Sequence, residues 1–412
     1  MTLAGPDART GTPFRFDYDP ATIRFGAGCV ADLADELDAH GLDRALVVCG
    51  QTVGTTPEVI DPVRDGLGDK LAGVFAETTP EKRLSTAFDA RDALRKHDAD
   101  VIVSLGGGSS LDVAKVASAL AGDVREPEQV GAELVERGTI SIPESGLTPI
   151  VAIPTTLAGA DLTQVAGVTA DPAFGVVDES ASGGISSRRL MPTAVCYDPE
   201  LVATTPESIL RASAMNGFDK GLETLYASTA TPITDATAVR GLQLLAPGLR
   251  QLGEYGPSAD TLEPVLEGTM LVQYGISRPD ALTVSLIHSF GHALTRTYDV
   301  QQGAAHGVVA PYALDYLFDE VDGRRDLLTT ALDVATTPQA GPDEQATAIV
   351  DEVTAVRDAL GLPTRLRDVA GPEPDEFSEV ARNVVEDSFM ANTPPGLDAT
   401  PDAIEAVLKA AW

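Results

Sequence analysis

The sequence predicts an α/β domain built on a parallel sheet over residues 1–205, followed by an all-α domain over residues 206–412. Three observations predict it. In the first half, short apolar runs alternate with segments of helical period. One of those runs leads through a glycine-rich turn straight into a helix. After Tyr197-Asp198-Pro199-Glu200-Leu201 the texture changes to long Ala- and Leu-rich helical segments with few β-branched runs. The length agrees, since 412 residues exceed what one ordinary compact domain buries.

The elements follow in order. Ala45-Leu46-Val47-Val48-Cys49 is an unbroken apolar run, the pattern of a strand covered on both faces. Ala72–Ala76, Val101–Leu105 and Pro149–Ile153 read the same way, the last closed by Pro154. Between the second and third, Leu84, Ala87, Phe88, Arg91 and Leu94 recur at helical spacing and form one amphipathic crossover. Strand, helix, strand in that rhythm requires parallel pairing. The domain boundary is placed near Pro206, and a ligand is expected at the strand C-termini, in a cleft between the domains. The first dozen residues read as loosely held and Thr336–Asp343 as a polar loop.

Composition narrows the function. The net charge is -33, with 62 acidic against 29 basic residues, which disfavours nucleic acid and anionic membranes as partners. A hydrophobic content of 43% is ample for packed cores, so the charge coats a folded surface. Such a coat suits concentrated salt, where screening relieves self-repulsion, and marks the chain as halophilic. No apolar run reaches bilayer length, and Met1 to Pro13 lacks a signal-peptide pattern, so a soluble, cytoplasmic protein is expected. Cys29, Cys49 and Cys196 have no paired spacing and read as small core residues.

Gly106-Gly107-Gly108-Ser109 follows the third strand and opens a helix running through Asp112 and Lys115. Glycines at such a turn let the backbone approach an anion, and the helix adds free N–H groups and its positive dipole end. The first domain therefore reads as a Rossmann-like nucleotide-binding domain, although the spacing is neither GxGxxG nor a Walker loop. A linking turn without a ligand, with Asp112 and Lys115 as a surface ion pair, is the plainer alternative. The first strand is followed by Gly50-Gln51-Thr52, with no acid to hold a ribose and repel a phosphate, so NADP is admissible beside NAD and is favoured. In the second half, His288, His292 and His306 fall in one window, and the first two share a helix face. A metal site and a pair of partly buried helix histidines are both consistent with that spacing.

The run Gly106 to Lys115 matches, at every defined position, the GGGSxxDxxK nucleotide-binding motif of the iron-containing alcohol dehydrogenase superfamily. Pro154-Thr155-Thr156-Leu157-Ala158-Gly159-Ala160-Asp161 resembles the PTTxAGSE segment of its maleylacetate reductase branch, departing at the last two positions. Met215-Asn216 with Glu223-Thr224-Leu225-Tyr226-Ala227 resembles that branch's MNAxAHAxEALYA. The resemblance runs from about Arg24 to Tyr316. It implies the dehydroquinate synthase-like fold, a nicotinamide cofactor, a small-molecule substrate and a homodimer or larger homo-oligomer. By it, Gly106, Gly107, Gly108 and Ser109 hold the diphosphate with Asp112 and Gly50 nearby, and Thr155 and Thr156 bond the cofactor closer to the nicotinamide.

The superfamily's four metal-ligand positions, an Asp and a His four apart and two later His, fall here on Asn216, Lys220, His288 and Gln302. Two amides and an ammonium are poor partners for Fe²⁺ or Zn²⁺. The resemblance therefore implies that the metal is gone, unless Asp219 and His306 form a shifted site. Lys220 then takes over polarisation of the substrate oxygen, beside His288, and His292 matches a histidine assigned to proton relay. Arg188 and Arg189 read as two exposed arginines. The expected activity is hydride transfer between NAD(P)H and a small aldehyde, ketone or oxo acid. A metal-dependent alcohol dehydrogenase, a lyase like dehydroquinate synthase and a non-catalytic nucleotide-binding protein are the alternatives.

Overall fold

The computed structural model describes residues 13–278, 281–334 and 340–412. The expectations for the first dozen residues, and for the first half of the loop from Thr336, lie outside them. Pro342 and Asp343, expected in that loop, instead open a helix, Pro342–Ala359, whose first position suits a residue with fixed φ and no N–H to lose.

The chain divides into two units, and not into two consecutive blocks. Asp19–Thr156 and Ala160–Thr205 form one; Pro206–Trp412, the residues up to Tyr18, and Leu157–Gly159 form the other.

The first unit carries a six-stranded, wholly parallel sheet of β1 (Thr22–Phe25), β2 (Ala45–Gly50), β3 (Leu71–Thr78), β4 (Val101–Gly106), β5 (Ile150–Pro154) and β8 (Ala194–Tyr197). Its order is β1-β8-β5-β4-β2-β3. An antiparallel hairpin, β6 (Val165–Ala170) and β7 (Ala181–Ser186), stands apart from it. The four strands expected from unbroken apolar runs are β2 to β5. On one face Val47, Cys49, Val101, Val103, Leu105, Val151 and Ile153 recur with period two and pack with Leu33, Leu37, Ile60 and Leu67. All three cysteines are buried and free. From β2 the chain moves to β3 on one side, and from β4 to β5 on the other. The order therefore switches between β2 and β4, where an open α/β sheet offers a crevice at its strand C-termini. Helices here are α1 (Leu33–Ala39), α2 (Gln51–Thr55), α3 (Pro57–Leu67), α4 (Leu84–His97), α5 (Gly108–Ala121), α6 (Pro127–Arg137) and α7 (Pro199–Val202).

The second unit is helical among its described residues. Its principal helices are α8 (Glu207–Tyr226), α9 (Pro232–Tyr255), α10 (Ala259–Ile276), α11 (Leu286–Thr297), α12 (Gln302–Glu320), α13 (Arg325–Leu332), α14 (Pro342–Ala359), α15 (Phe377–Glu386) and α16 (Pro401–Ala411). Helix α8 crosses α12 with backbones touching: a Cβ on Gly303 would lie 1.7 Å from the Ala212 carbonyl oxygen, so only glycine permits the approach. That contact brings the first residue of α12, Gln302, beside α8. Among the described residues, no helix is long and apolar enough to cross a membrane.

Candidate active site

Two clusters carry the expected site residues, one in each unit. In the α/β unit, Gly50, Gly106–Ser109, Thr155 and Thr156 gather at the C-terminal edge of the sheet, because β2 ends at Gly50, β4 at Gly106 and β5 at Pro154, with Gly106 paired to Pro154. Gly106 has φ +136°, a conformation that L side chains rarely adopt. Gly107 caps α5, and a Cβ there would come within 3.0 Å of Thr156 Cγ2. The first-turn N–H groups of a helix have no carbonyl within it, so this bare turn presents them to an anion. The buried Thr155 donates its backbone N–H to the Gly106 carbonyl at 3.1 Å, tying the β5 end to the cradle. Thr78 Oγ1 and Ser110 Oγ, 2.7 Å apart, tie β3 to α5.

The plainer alternative for the motif's charged pair is corrected by its surroundings. Lys115 is fully buried, and its Nζ donates to the Thr163 carbonyl and hydroxyl, each at 2.7 Å, and to the Val165 carbonyl at 3.1 Å. It pins the approach to β6, and Asp112 pairs instead with Lys82 at 2.6 Å. The acceptors lie 48 and 50 residues downstream, beyond the reach of local pattern. A cavity of about 780 Å³ lies away from the Gly106–Ser109 turn and is lined in part by Glu58, Asp61, Asp65 and Glu200, whose charge would repel a diphosphate.

In the helical unit, three of the four expected ligand positions, Asn216, His288 and Gln302, come together as hydrogen-bond partners. His288 Nε2 lies 3.2 Å from Asn216 Oδ1, and Asn216 Nδ2 lies 3.2 Å from Gln302 Oε1. Glu223, which the sequence reading placed only within a motif, accounts for the orientation of His288. Its buried carboxylate receives His288 Nδ1–H at 2.6 Å and the backbone N–H groups of Ser285, Ile287 and His288 at the start of α11. Burial holds the Glu223 carboxyl up at about 7 even though those N–H groups pull it down. Burial also pushes His288 well below its ordinary range. The Asn216 amide oxygen faces His288 Nε2, and its NH₂ donates to Gln302 Oε1. Asn216, Lys220 and Glu223 follow one another at four and three residues, one stripe of α8, and that spacing was the available signal.

Lys220, expected to polarise a substrate oxygen, is held by acceptors within the protein. Its Nζ donates to the Ala158 carbonyl at 3.0 Å, the Gly159 carbonyl at 2.7 Å and Gln273 Oε1 at 3.0 Å. It is a fixed charge that fastens Leu157–Gly159 and α10 to α8. Behind this layer Asp219 and His306 are fully buried, with Asp219 Oδ2 3.2 Å from His306 Nδ1. Burial raises the Asp219 carboxyl well above its ordinary range and lowers His306 to about 4, so both are held neutral. Among the described residues, no group of three or more His, Cys, Asp or Glu side chains is placed to hold a metal ion, the Asp219 and His306 neighbourhood included. One imidazole, two amides already bonded to each other and an ammonium do not fit a divalent cation.

A wholly parallel sheet with a glycine-rich turn at its switch point and a separate helical unit define an α/β-plus-helical class, and similarity to known proteins gives the family. The chain belongs to the iron-containing alcohol dehydrogenase family: residues 20–199 match its Fe-ADH region and residues 211–412 its C-terminal region. It is an oxidoreductase of that family. It is 28% identical to the maleylacetate reductase of Pseudomonas aeruginosa over 410 residues, 97% of each chain. A second such enzyme, from Sphingobium indicum, is 30% identical over 73% of this chain and 75% of its own. Among solved structures, 1,3-propanediol oxidoreductase superposes with a TM-score of 0.85 at 21% identity, covering 97% of this chain and 100% of the other.

Proposed function

We propose that the protein reduces the carbonyl of a small oxo acid with NAD(P)H, NADP(H) being favoured, and does so without a catalytic metal. The observation that carries the metal-free reading is the network of Asn216, His288 and Gln302 at the ligand positions, with the Lys220 ammonium in the fourth place. An ammonium would repel a dication, and mutually bonded amides offer it little. The oxo-acid class rests on the maleylacetate reductases among the relatives. The absence of an acid at Gly50-Gln51-Thr52 supports NADP(H).

In this reading Gly106–Ser109 bind the diphosphate, with Gly50 and Asp112 nearby, while Thr155 and Thr156 orient the nicotinamide end. The nicotinamide, when bound, supplies a hydride to the carbonyl carbon. Lys220 provides a fixed positive potential for the developing alkoxide, His288 holds the amide network in place, and His292 gives the oxygen its proton. The test is NAD(P)H consumption with maleylacetate and simpler oxo acids, before and after chelation, together with metal analysis of the purified protein. Unchanged turnover after chelation is expected. Stoichiometric iron or zinc, with activity lost on its removal and regained on its return, would establish the metal-dependent alcohol dehydrogenase instead.

The acidic coat supports a cytoplasm rich in salt as the working medium, and the family resemblance supports a homo-oligomer as the working form. Thermal unfolding followed against KCl should give a higher midpoint at molar salt, where the screening length is ~3 Å, than at ~0.1 M, where it is ~10 Å. Equal midpoints would remove the halophilic reading.

A further inference from the structure

His292, on the same helix as His288, has a partner of its own that the ligand positions do not involve. Its Nδ1 lies 3.1 Å from Asp387 Oδ2. The Asp387 side chain is 1% exposed, whereas the His292 side chain is 26% exposed. The carboxylate is thus inside and the imidazole reaches outward, with one ring nitrogen committed and Nε2 remaining for chemistry.

The surroundings make this a constructed pair. Asp387 sits between α15 and a short turn of 3₁₀ helix, Ser388–Asn392, and caps that turn by accepting the Phe389 N–H on Oδ1 at 3.0 Å. The turn is held at its far end, where Asn392 Nδ2 donates to the Val284 carbonyl at 2.9 Å and the Ser228 N–H donates to the Asn392 carbonyl at 2.9 Å. Val284 lies two residues before α11, so the segment carrying the carboxylate is fastened to the approach of the helix that carries the imidazole. Phe389 completes the seat: its ring centroid is 4.6 Å from that of His292, with the planes tilted by 39°. Arg296, one turn further along α11, lies 3.4 Å from Asp387 Oδ2 and faces solvent with 66% of its side chain. His288 on the same helix and His306 on α12 are the other titratable groups within electrostatic range. The Asp387 carboxyl is held below its ordinary range by its bonds from His292 and Phe389, which overcome the opposing effect of burial.

We propose that Asp387 is the positioning residue of His292: its carboxylate accepts Nδ1–H and thereby leaves Nε2 to carry the proton of the reduction. The inference rests on the assignment of His292 to the proton path. In the step itself, a hydride adds to the carbonyl carbon, the C–O π pair becomes an alkoxide pair, and that pair takes the proton from Nε2–H of the imidazolium. The product is an alcohol, and the ring is left neutral with Nδ1–H still on Asp387. A fixed carboxylate serves both states, since it stabilises the imidazolium before transfer and selects the useful tautomer after it.

The experiment has two arms. In ¹⁵N NMR of the cofactor-free protein, the neutral His292 ring should be the Nδ1–H tautomer, and in Asp387→Asn the tautomers should become mixed. In the kinetic arm, Asp387→Asn should lower kcat ~10²-fold at neutral pH and leave the cofactor dissociation constant within about twofold. A loss of folding alone would not spare cofactor binding. A wild-type Nε2–H tautomer, or an unmoved tautomer balance in Asp387→Asn, overturns the positioning role. His292→Ala separates the two layers: full turnover in that variant overturns the assignment of His292 to the proton path, and the kinetic role of Asp387 with it.

Discussion

Replacing Gly107 by valine is expected to raise the dissociation constant for NAD(P)H by at least ~10²-fold, about 2.8 kcal/mol, while leaving the fold intact. The site separates these two effects. Gly107 has φ -83° and ψ -176°, which a valine adopts without strain, whereas Gly106 at φ +136° would be strained by any side chain. A Cβ at position 107 meets only the Thr156 methyl at 3.0 Å and its hydroxyl at 3.5 Å, a flexible neighbour that can give slightly. The two added methyl groups have no such concession available, because they occupy the mouth of the cradle where the diphosphate must meet backbone N–H groups. Fluorescence titration with NADH and NADPH, alongside thermal unfolding, measures both quantities. An unchanged affinity in a folded variant would remove the cradle from the cofactor reading; a failure to fold would show that the turn is structural first.

The parts legible in the sequence are those whose signal is local. β2 and β5 are unbroken apolar runs, and β4 is interrupted only by Ser104, because helices cover both faces of the sheet; Gly106–Ser109 stands out because a strand-to-helix turn rarely needs three consecutive glycines. β1 and β8 were not legible as strands. Each has four residues, and β1, at the sheet edge, carries Arg24 within Thr22–Phe25. In the helical unit, the ligand positions followed from resemblance and spacing, but the partners that give them meaning did not. Glu223 reaches His288 across 65 residues, and Asp387 reaches His292 across 95. Lys220 is expected to polarise the substrate oxygen because its landing on a ligand position says what it replaces; only the folded chain shows its acceptors, 62, 61 and 53 residues away.

Those acceptors sharpen the expected result for Lys220. Lys220→Ala should lower kcat ~10²-fold or more, on the scale of deleting one oxyanion donor, because the site loses its fixed cation. It should also cost ~1–3 kcal/mol of stability, since the Ala158 and Gly159 carbonyls and the Gln273 amide lose a shared donor. The two losses are separable. Lys220→Met keeps the bulk of the chain without its charge, and so should match Lys220→Ala in turnover while losing less stability through packing. The positional argument extends further: Asn216→Asp, Lys220→His and Gln302→His together supply a carboxylate and two imidazoles to join His288, a donor set that suits iron or zinc. Glu223 is already in place to orient His288 for it, by the carboxylate–histidine arrangement common behind metal-bound imidazoles. The triple variant should therefore bind a divalent metal in a titration read by mass spectrometry, whether or not it turns over. A fully active Lys220→Ala enzyme would show that the ammonium only fastens the 157–159 segment, and a triple variant that takes up no metal would show that the ligand positions have been misassigned.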